Sequence, residues 1–251
     1  MGEIKLEKLV TSKDRVDYWF STTEDLKCFF RMPMHMFIQY DRCIENIPES
    51  ILVIPFLGNV MQIAWLVNAE VFANKVDATF YRSLQRLRDA YQKMYPNCTL
   101  GGTLLAEQED NKAQTSAKSA QMYTGGMDAV TTFIRHAEKR PLLILEYGFY
   151  QDALVGQGAY SRDVKSERNF ASDCNAAREF AQVHGTSCAF IRANYGTFIN
   201  SVAIDKRFAE QMGDNFWHGL HHAMAILGAA APVAFLENIR LLYIASSFSV
   251  G

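Results

Sequence analysis

A chain of 251 residues with 49% apolar side chains is long enough to bury a sizeable core. Its 25 Lys and Arg against 27 Asp and Glu leave a formal charge of −2, without the basic excess that general nucleic-acid binding requires. Five cysteines, Cys28, Cys43, Cys98, Cys174 and Cys188, form no C-x-x-C pair and fit reduced thiols better than a disulfide frame or a zinc ribbon.

The first residues, "MGEIKLEKLV", place charges where a secretory signal needs an apolar stretch, which points to the cytoplasm. The runs "IKLEKLVTS", "RVDYWFSTT", "HMFIQYD", "SILVIPFLG" and "MQIAWLVNAEVF" are rich in β-branched and aromatic residues and separated by polar breaks, so each is expected to be a strand. Phe80, Leu84, Leu87 and Tyr91 then recur at helical spacing until Pro96. The polar stretch "NCTLGGTLLAEQEDNKAQTSAKS" has the composition of a linker, which divides the chain into a β-rich domain with a closing helix, 1–115, and a second domain, 116–251.

The second domain alternates strands and helices. "AQMY" leads to a helix over about 129–139, "RPLLILEYG" has the continuous apolar character of a buried parallel strand, and "SERNFASDCNAAREFAQVHG" is a helix with Gly185 as its C-cap. The strand "SCAFIRAN", a helical region holding "FWHGLHHAMAILGAAAPVAFLEN" and the strand "RLLYIASS" follow. Four such repeats predict an α/β fold with a doubly wound, Rossmann-like parallel sheet, in which ligands bind at the carboxyl ends of the strands. The longest apolar run, Ala223 to Leu236, is 14 residues and contains Pro232, too short for a membrane span.

The first strand ends in "YTGGMDAV". Alone this is equally a tight turn, but after the first strand of a β-α series it has the properties of a phosphate loop. Thr124 offers a hydroxyl, Gly125 and Gly126 allow close backbone approach, and the helix N-terminus favours an anion. Asp128 in the first turn would repel a bare phosphate, so its use implies magnesium between carboxylate and phosphates. The chain has no G-x-x-x-x-G-K-[ST], and "GQGAYS" from Gly156 lacks the third glycine of G-x-G-x-x-G. The strand, the "TGGMDA" loop and the helix resemble the S-G-G-x-D-S signature of the PP-loop ATP pyrophosphatases, in the adenine-nucleotide alpha-hydrolase (HUP-like) superfamily, and bacterial proteins with the same loop. The resemblance spans about 117–251, with Thr124 and Ala129 in place of the two serines; 1–115 resembles no domain of that family.

That resemblance implies an ATP·Mg-dependent ligase that cleaves ATP between the α and β phosphates and adenylates a small substrate for attack by a nitrogen or sulfur nucleophile. It also implies relatives that continue past residue 251, so the chain reads as C-terminally truncated. Cofactor contacts are expected from Thr124, Gly125, Gly126 and Asp128, with Asp128 as the metal ligand. The superfamily's adenine site falls on the backbone of Glu146, Tyr147 and Gly148, which read equally as a strand end and turn. Ser246 and Ser247 are phosphate or substrate donors or a polar turn; Arg192 and Asn194 reach the ligand or end a solvated strand; Lys118 is solvated. His218, His221 and His222 at i, i+3 and i+4 can share one helix face, for substrate, for structure, or for a metal that needs further ligands. His218 and His222 join Asp128 as the catalytic candidates. Two rivals stand beside the ligase: a non-catalytic ATP- or AMP-binding module, which Ala129 favours, and a His-dependent metal hydrolase. The expected partners are ATP and a small substrate, with no membrane; a homodimer is allowed.

Overall fold

The computed structural model describes residues 2–111, 118–148 and 163–245, with 163–167 as backbone alone. Strands β1 (Glu3–Thr11), β2 (Arg15–Thr22) and β3 (His35–Tyr40) form an antiparallel meander. Helices α1 (Glu49–Leu52) and α2 (Ile54–Val67) lead to β4 (Glu70–Asp77), α3 (Ala78–Met94) and β5 (Thr103–Glu109). Then come β6 (Ser119–Met122), α4 (Met127–Arg135), β7 (Leu142–Tyr147), α5 (Asp163–Val183), β8 (Cys188–Ala193), α6 (Tyr195–Phe198), α7 (Ser201–Met212), α8 (His222–Leu236) and β9 (Leu241–Tyr243).

The nine strands among the described residues join one mixed, mostly parallel sheet in the order β5-β4-β1-β2-β3-β8-β7-β6-β9. The stretches 1–115 and 116–251 meet where β3 pairs antiparallel with β8. They also share the larger core cluster. Along β7, alternate side chains enter different layers: Leu142 and Ile144 join the cluster under α2 and α8, while Leu143 and Leu145 join one with Phe133 of α4 and Ala177 of α5. A parallel strand apolar on successive residues must be covered on both faces, and here it is. The fold is α/β with helices on both sides of the parallel strands.

Two expectations for the first half are corrected. The runs over 50–67 are helical, because α2 is buried on every side from Ile54 to Leu66 and has no polar face to imprint a 3.6-residue period. Its end is set by Asn68, whose positive φ of 53° stops the helix and whose Oδ1 accepts from the Gly102 N–H at 2.8 Å. The polar stretch expected as a linker contains β5, which pairs parallel with β4. On α3 the sequence reading holds: Asp77 caps it, accepting from the Phe80 N–H at 2.8 Å. Gly185 at the end of α5 also has the positive φ, 64°, of a C-cap.

Helix α8 is longer than its apolar run suggests. With the π turn Trp217–His221 it makes a 20-residue apolar helix, the one helix among the described residues with the length and composition to cross a membrane; half of its residues are buried within this fold. It crosses α2 at Gly58 and Gly228, where a Cβ on Gly58 would lie 2.8 Å from the Met224 carbonyl oxygen. A Cβ on Gly228 would meet nothing nearer than 3.4 Å. Gly58→Ala is therefore expected to destabilise by about 1–3 kcal/mol through overpacking, while Gly228→Ala stays within about 1 kcal/mol because helix propensity offsets its milder contact. Urea unfolding of the two variants compares them directly.

Candidate functional site

The loop after β6 leaves the sheet at a reversal of strand order. From β6 the chain passes to β7 and β8 on one side, with α4 and α5 on one face of the sheet, and β9 returns to the other side of β6 after crossing the opposite face by α8. That reversal opens the crevice where open α/β sheets bind ligands. Gly125 adopts φ +77°, which an L side chain resists although the space around it is empty. Gly126 caps α4, and its N–H reaches Thr124 Oγ1 at 3.4 Å. The N–H groups of Met127, Asp128 and Ala129 open the helix, with no earlier turn to supply carbonyls. Thr124, Gly125, Gly126 and Asp128 are all exposed.

Ala129, the departure from the resembled signature, faces the other way. Its side chain is 3% exposed and packs in the cluster with Phe133. Its carbonyl oxygen accepts from Gln121 Nε2 at 2.6 Å, so a buried β6 side chain anchors the first turn of α4 to the sheet. Gln121 Oε1 has no partner.

One strand over, β6 pairs with β7 as far as Met122 and Ile144, which brings Thr124 level with Glu146. Glu146 points into the α8 layer. The Tyr195 hydroxyl donates to Glu146 Oε1 at 2.8 Å, while Oε2 is buried without a partner. Burial pushes the Glu146 carboxyl up to about 8, against the opposing pull of the Tyr195 hydrogen bond. Burial also holds Tyr195 and Tyr40 well above the usual phenol range, with Glu146 adding to both. Gly148 is required by packing, since a Cβ there would occupy the Tyr195 ring. Its carbonyl accepts from the Gly196 N–H at 2.8 Å.

The three histidines do not share a face. His218 and His222 are exposed, whereas His221 is 3% exposed. The π turn inserts an extra residue per turn and swings His221 inward. There its Nε2 lies 2.7 Å from Asn59 Oδ1, so Nε2 carries the proton, and burial, aided by His222, depresses its basicity to about 3. Phe216 stacks on its ring at 4.9 Å, with Tyr195 edge-on at 6.5 Å. His218 bonds Asn215 at 3.0 Å. Burial and His218 lower His222. Among the described residues no hydrogen bond joins either to the glycine loop, and no three His, Cys, Asp or Glu are placed to hold a metal ion.

Arg192 is exposed and lies 5.3 Å over the Phe170 ring. Asn194 is 9% exposed and structural: its amide bonds both the Phe37 N–H and the His35 carbonyl, tying β8 to β3. Ser246 and Ser247 fall outside the described residues. Sequence reasoning missed the Tyr195 and Glu146 pair and the Asn59 and His221 pair; Asn59, with Gln62 one of two polar residues inside an otherwise apolar run, was the available signal for the second. No protein-family model, curated protein or solved structure matches the chain.

The two buried groups impose opposite pH slopes. Native Glu146 keeps its proton to about pH 8 while the unfolded chain loses it near 4.5, so the native state binds the extra proton and stability falls as pH rises between those values. His221 stays neutral to about 3 while the unfolded imidazole protonates near 6.5, so stability falls as pH drops through that window. Glu146→Gln should flatten the slope that Glu146 imposes between about pH 4.5 and pH 8, gaining on the parent across that window, and leave the one His221 imposes unchanged. Urea midpoints across pH check this, and parallel curves for the two chains would contradict it.

Proposed function

We propose that the chain binds ATP at the glycine loop and is a PP-loop ligase of the ATP pyrophosphatase type. The observation that carries the reading is the loop itself: Gly125 at positive φ and Gly126 as N-cap open α4 at the strand-order reversal, with an exposed Asp128 in its first turn. The local chemistry fits the cofactor, because magnesium is commonly held by one or two carboxylates together with substrate phosphates. Asp128 would hold it, and the bound ion would neutralise charge on the departing pyrophosphate.

In this reading the Gly125 and Gly126 backbone and the Thr124 hydroxyl receive the phosphates. The β7 backbone from Glu146 to Gly148 receives the adenine along the side that β6 no longer covers; the Gly148 carbonyl is already engaged by Gly196, so the nearer groups carry that contact. An oxygen of the substrate's carboxyl or amide attacks the α-phosphorus, the bond from that phosphorus to the bridging oxygen breaks, and pyrophosphate departs with the electron pair. A nitrogen or sulfur nucleophile then attacks the activated carbon and AMP leaves. Because Ala129 faces the core, the missing hydroxyl at that position removes no group from the exposed side of the loop. The reading places the protein in the cytoplasm, where ATP and its substrate meet.

Asp128→Ala should abolish ATP-dependent pyrophosphate release, by at least about 100-fold for a charge-stabilising group, while leaving the thermal midpoint unchanged because Asp128 is exposed. A coupled pyrophosphate assay over candidate carboxylates and amides, with differential scanning fluorimetry alongside, measures both. Undiminished release would overturn the assignment of Asp128, and ATP binding without release under any substrate would favour the non-catalytic module.

A further inference from the structure

The glycine loop hangs between two buried anchors. At its entry the Tyr123 N–H donates to the Ile144 carbonyl at 2.8 Å, and the Tyr123 ring packs on Phe180 at 5.1 Å. At its exit Gln121 Nε2 donates to the Ala129 carbonyl at 2.6 Å. Gln121 is itself held fast, because its backbone lies between Leu143 of β7 and Tyr243 of β9 and none of the residue is exposed. The stretch between the anchors, Thr124 to Asp128, is exposed, and the Gly126 N–H meets Thr124 Oγ1 only at 3.4 Å.

Stability alone gives Gln121 little reason to be polar. In an α-helix the Ala129 carbonyl also accepts the N–H four residues on, that of Phe133, so it has a partner without Gln121. Gln121 Oε1, by contrast, is buried with no partner. An apolar side chain of similar length would strand neither group. What the bond supplies is direction: it fixes the start of α4 against the sheet, and with it the N–H groups of Met127, Asp128 and Ala129, which have no earlier turn to bond. An anion at a helix N-terminus is held best by donors that are fixed before it arrives. We propose that Gln121 is the positioning residue of the glycine loop, touching no ligand itself and holding the first turn of α4 so that its N–H groups keep one orientation toward the phosphates. This rests on the nucleotide reading of the loop, although the positioning is measurable without ATP.

Gln121→Met in the full chain removes both polar atoms and keeps a side chain of similar length. Three readouts test the role: amide hydrogen exchange, the thermal midpoint, and calorimetric titration with ATP·Mg. The Val130 amide, which donates to the Gly126 carbonyl at 3.0 Å, should exchange at least about tenfold faster in the variant, while the Leu143 amide, bonded to Ser187 at 2.9 Å, should be no faster than in the parent. The thermal midpoint should equal the parent's or exceed it. Affinity for ATP·Mg should fall by about tenfold or more, as when a group that orients a ligand contact is lost. A lowered midpoint with both amides faster, an unchanged Val130 rate, or equal ATP·Mg affinity in the two chains would each overturn the positioning role and leave the loop reading standing. Absence of ATP·Mg binding by the parent would overturn the loop reading and this role with it.

Discussion

Burial of β6, β7 and β8 on both faces is the constraint from which the rest of the architecture follows. Leu142 and Ile144 need a cover on one side, Leu143 and Leu145 on the other, so the connecting helices must divide between the faces. Once α4 and α5 occupy one face and α8 the other, β9 can only return beside β6, and the loop after β6 is left at the point where the two winding directions part. The glycines then have a reason to be there: a tight exit into α4 with backbone N–H groups facing outward.

The opposite layer depends on the close crossing of α2 and α8 at Gly58 and Gly228. Polar groups trapped in that layer are largely matched. The Tyr18 hydroxyl donates to the Leu52 carbonyl at 2.5 Å, the Tyr40 hydroxyl to the Ala229 carbonyl at 3.2 Å, and Asn59 meets His221. Among the exceptions are Gln121 Oε1 and Glu146 Oε2, from adjacent strands on either side of the sheet at its carboxyl edge. Each unmatched oxygen costs stability on the order of 1–3 kcal/mol; the other unmatched buried side-chain atoms among the described residues, His35 Nδ1, Gln62 Oε1 and Ser119 Oγ, lie elsewhere, on β3, in α2 and at the start of β6.

Most of the α/β half was legible because its residues obey local rules: an apolar run for β7, a loop of glycines before α4, a glycine ending α5. Less of the first half was, since α2 is buried all round and its run of Ile, Val, Phe and Leu carries no helical period. The loop residues could be read, but not the direction of Ala129, because the phase of α4 against the sheet is set by packing of Phe133 and the Gln121 bond. Spacing alone allowed three histidines to share one face; the π turn, which leaves His221 packed against Phe216 and Trp217, separated them. The Tyr195 and Glu146 contact joins residues 49 apart and leaves no mark in either local segment.

The decisive question is whether the exit of β6 is a nucleotide loop. Backbone amide NMR of the full chain, titrated with ATP and magnesium, reports on it residue by residue. The largest shifts are expected at Gly125, Gly126, Met127 and Asp128, saturating together, with smaller ones at Tyr147. Unmoved amides in that loop, or shifts confined to another part of the sheet, would contradict it.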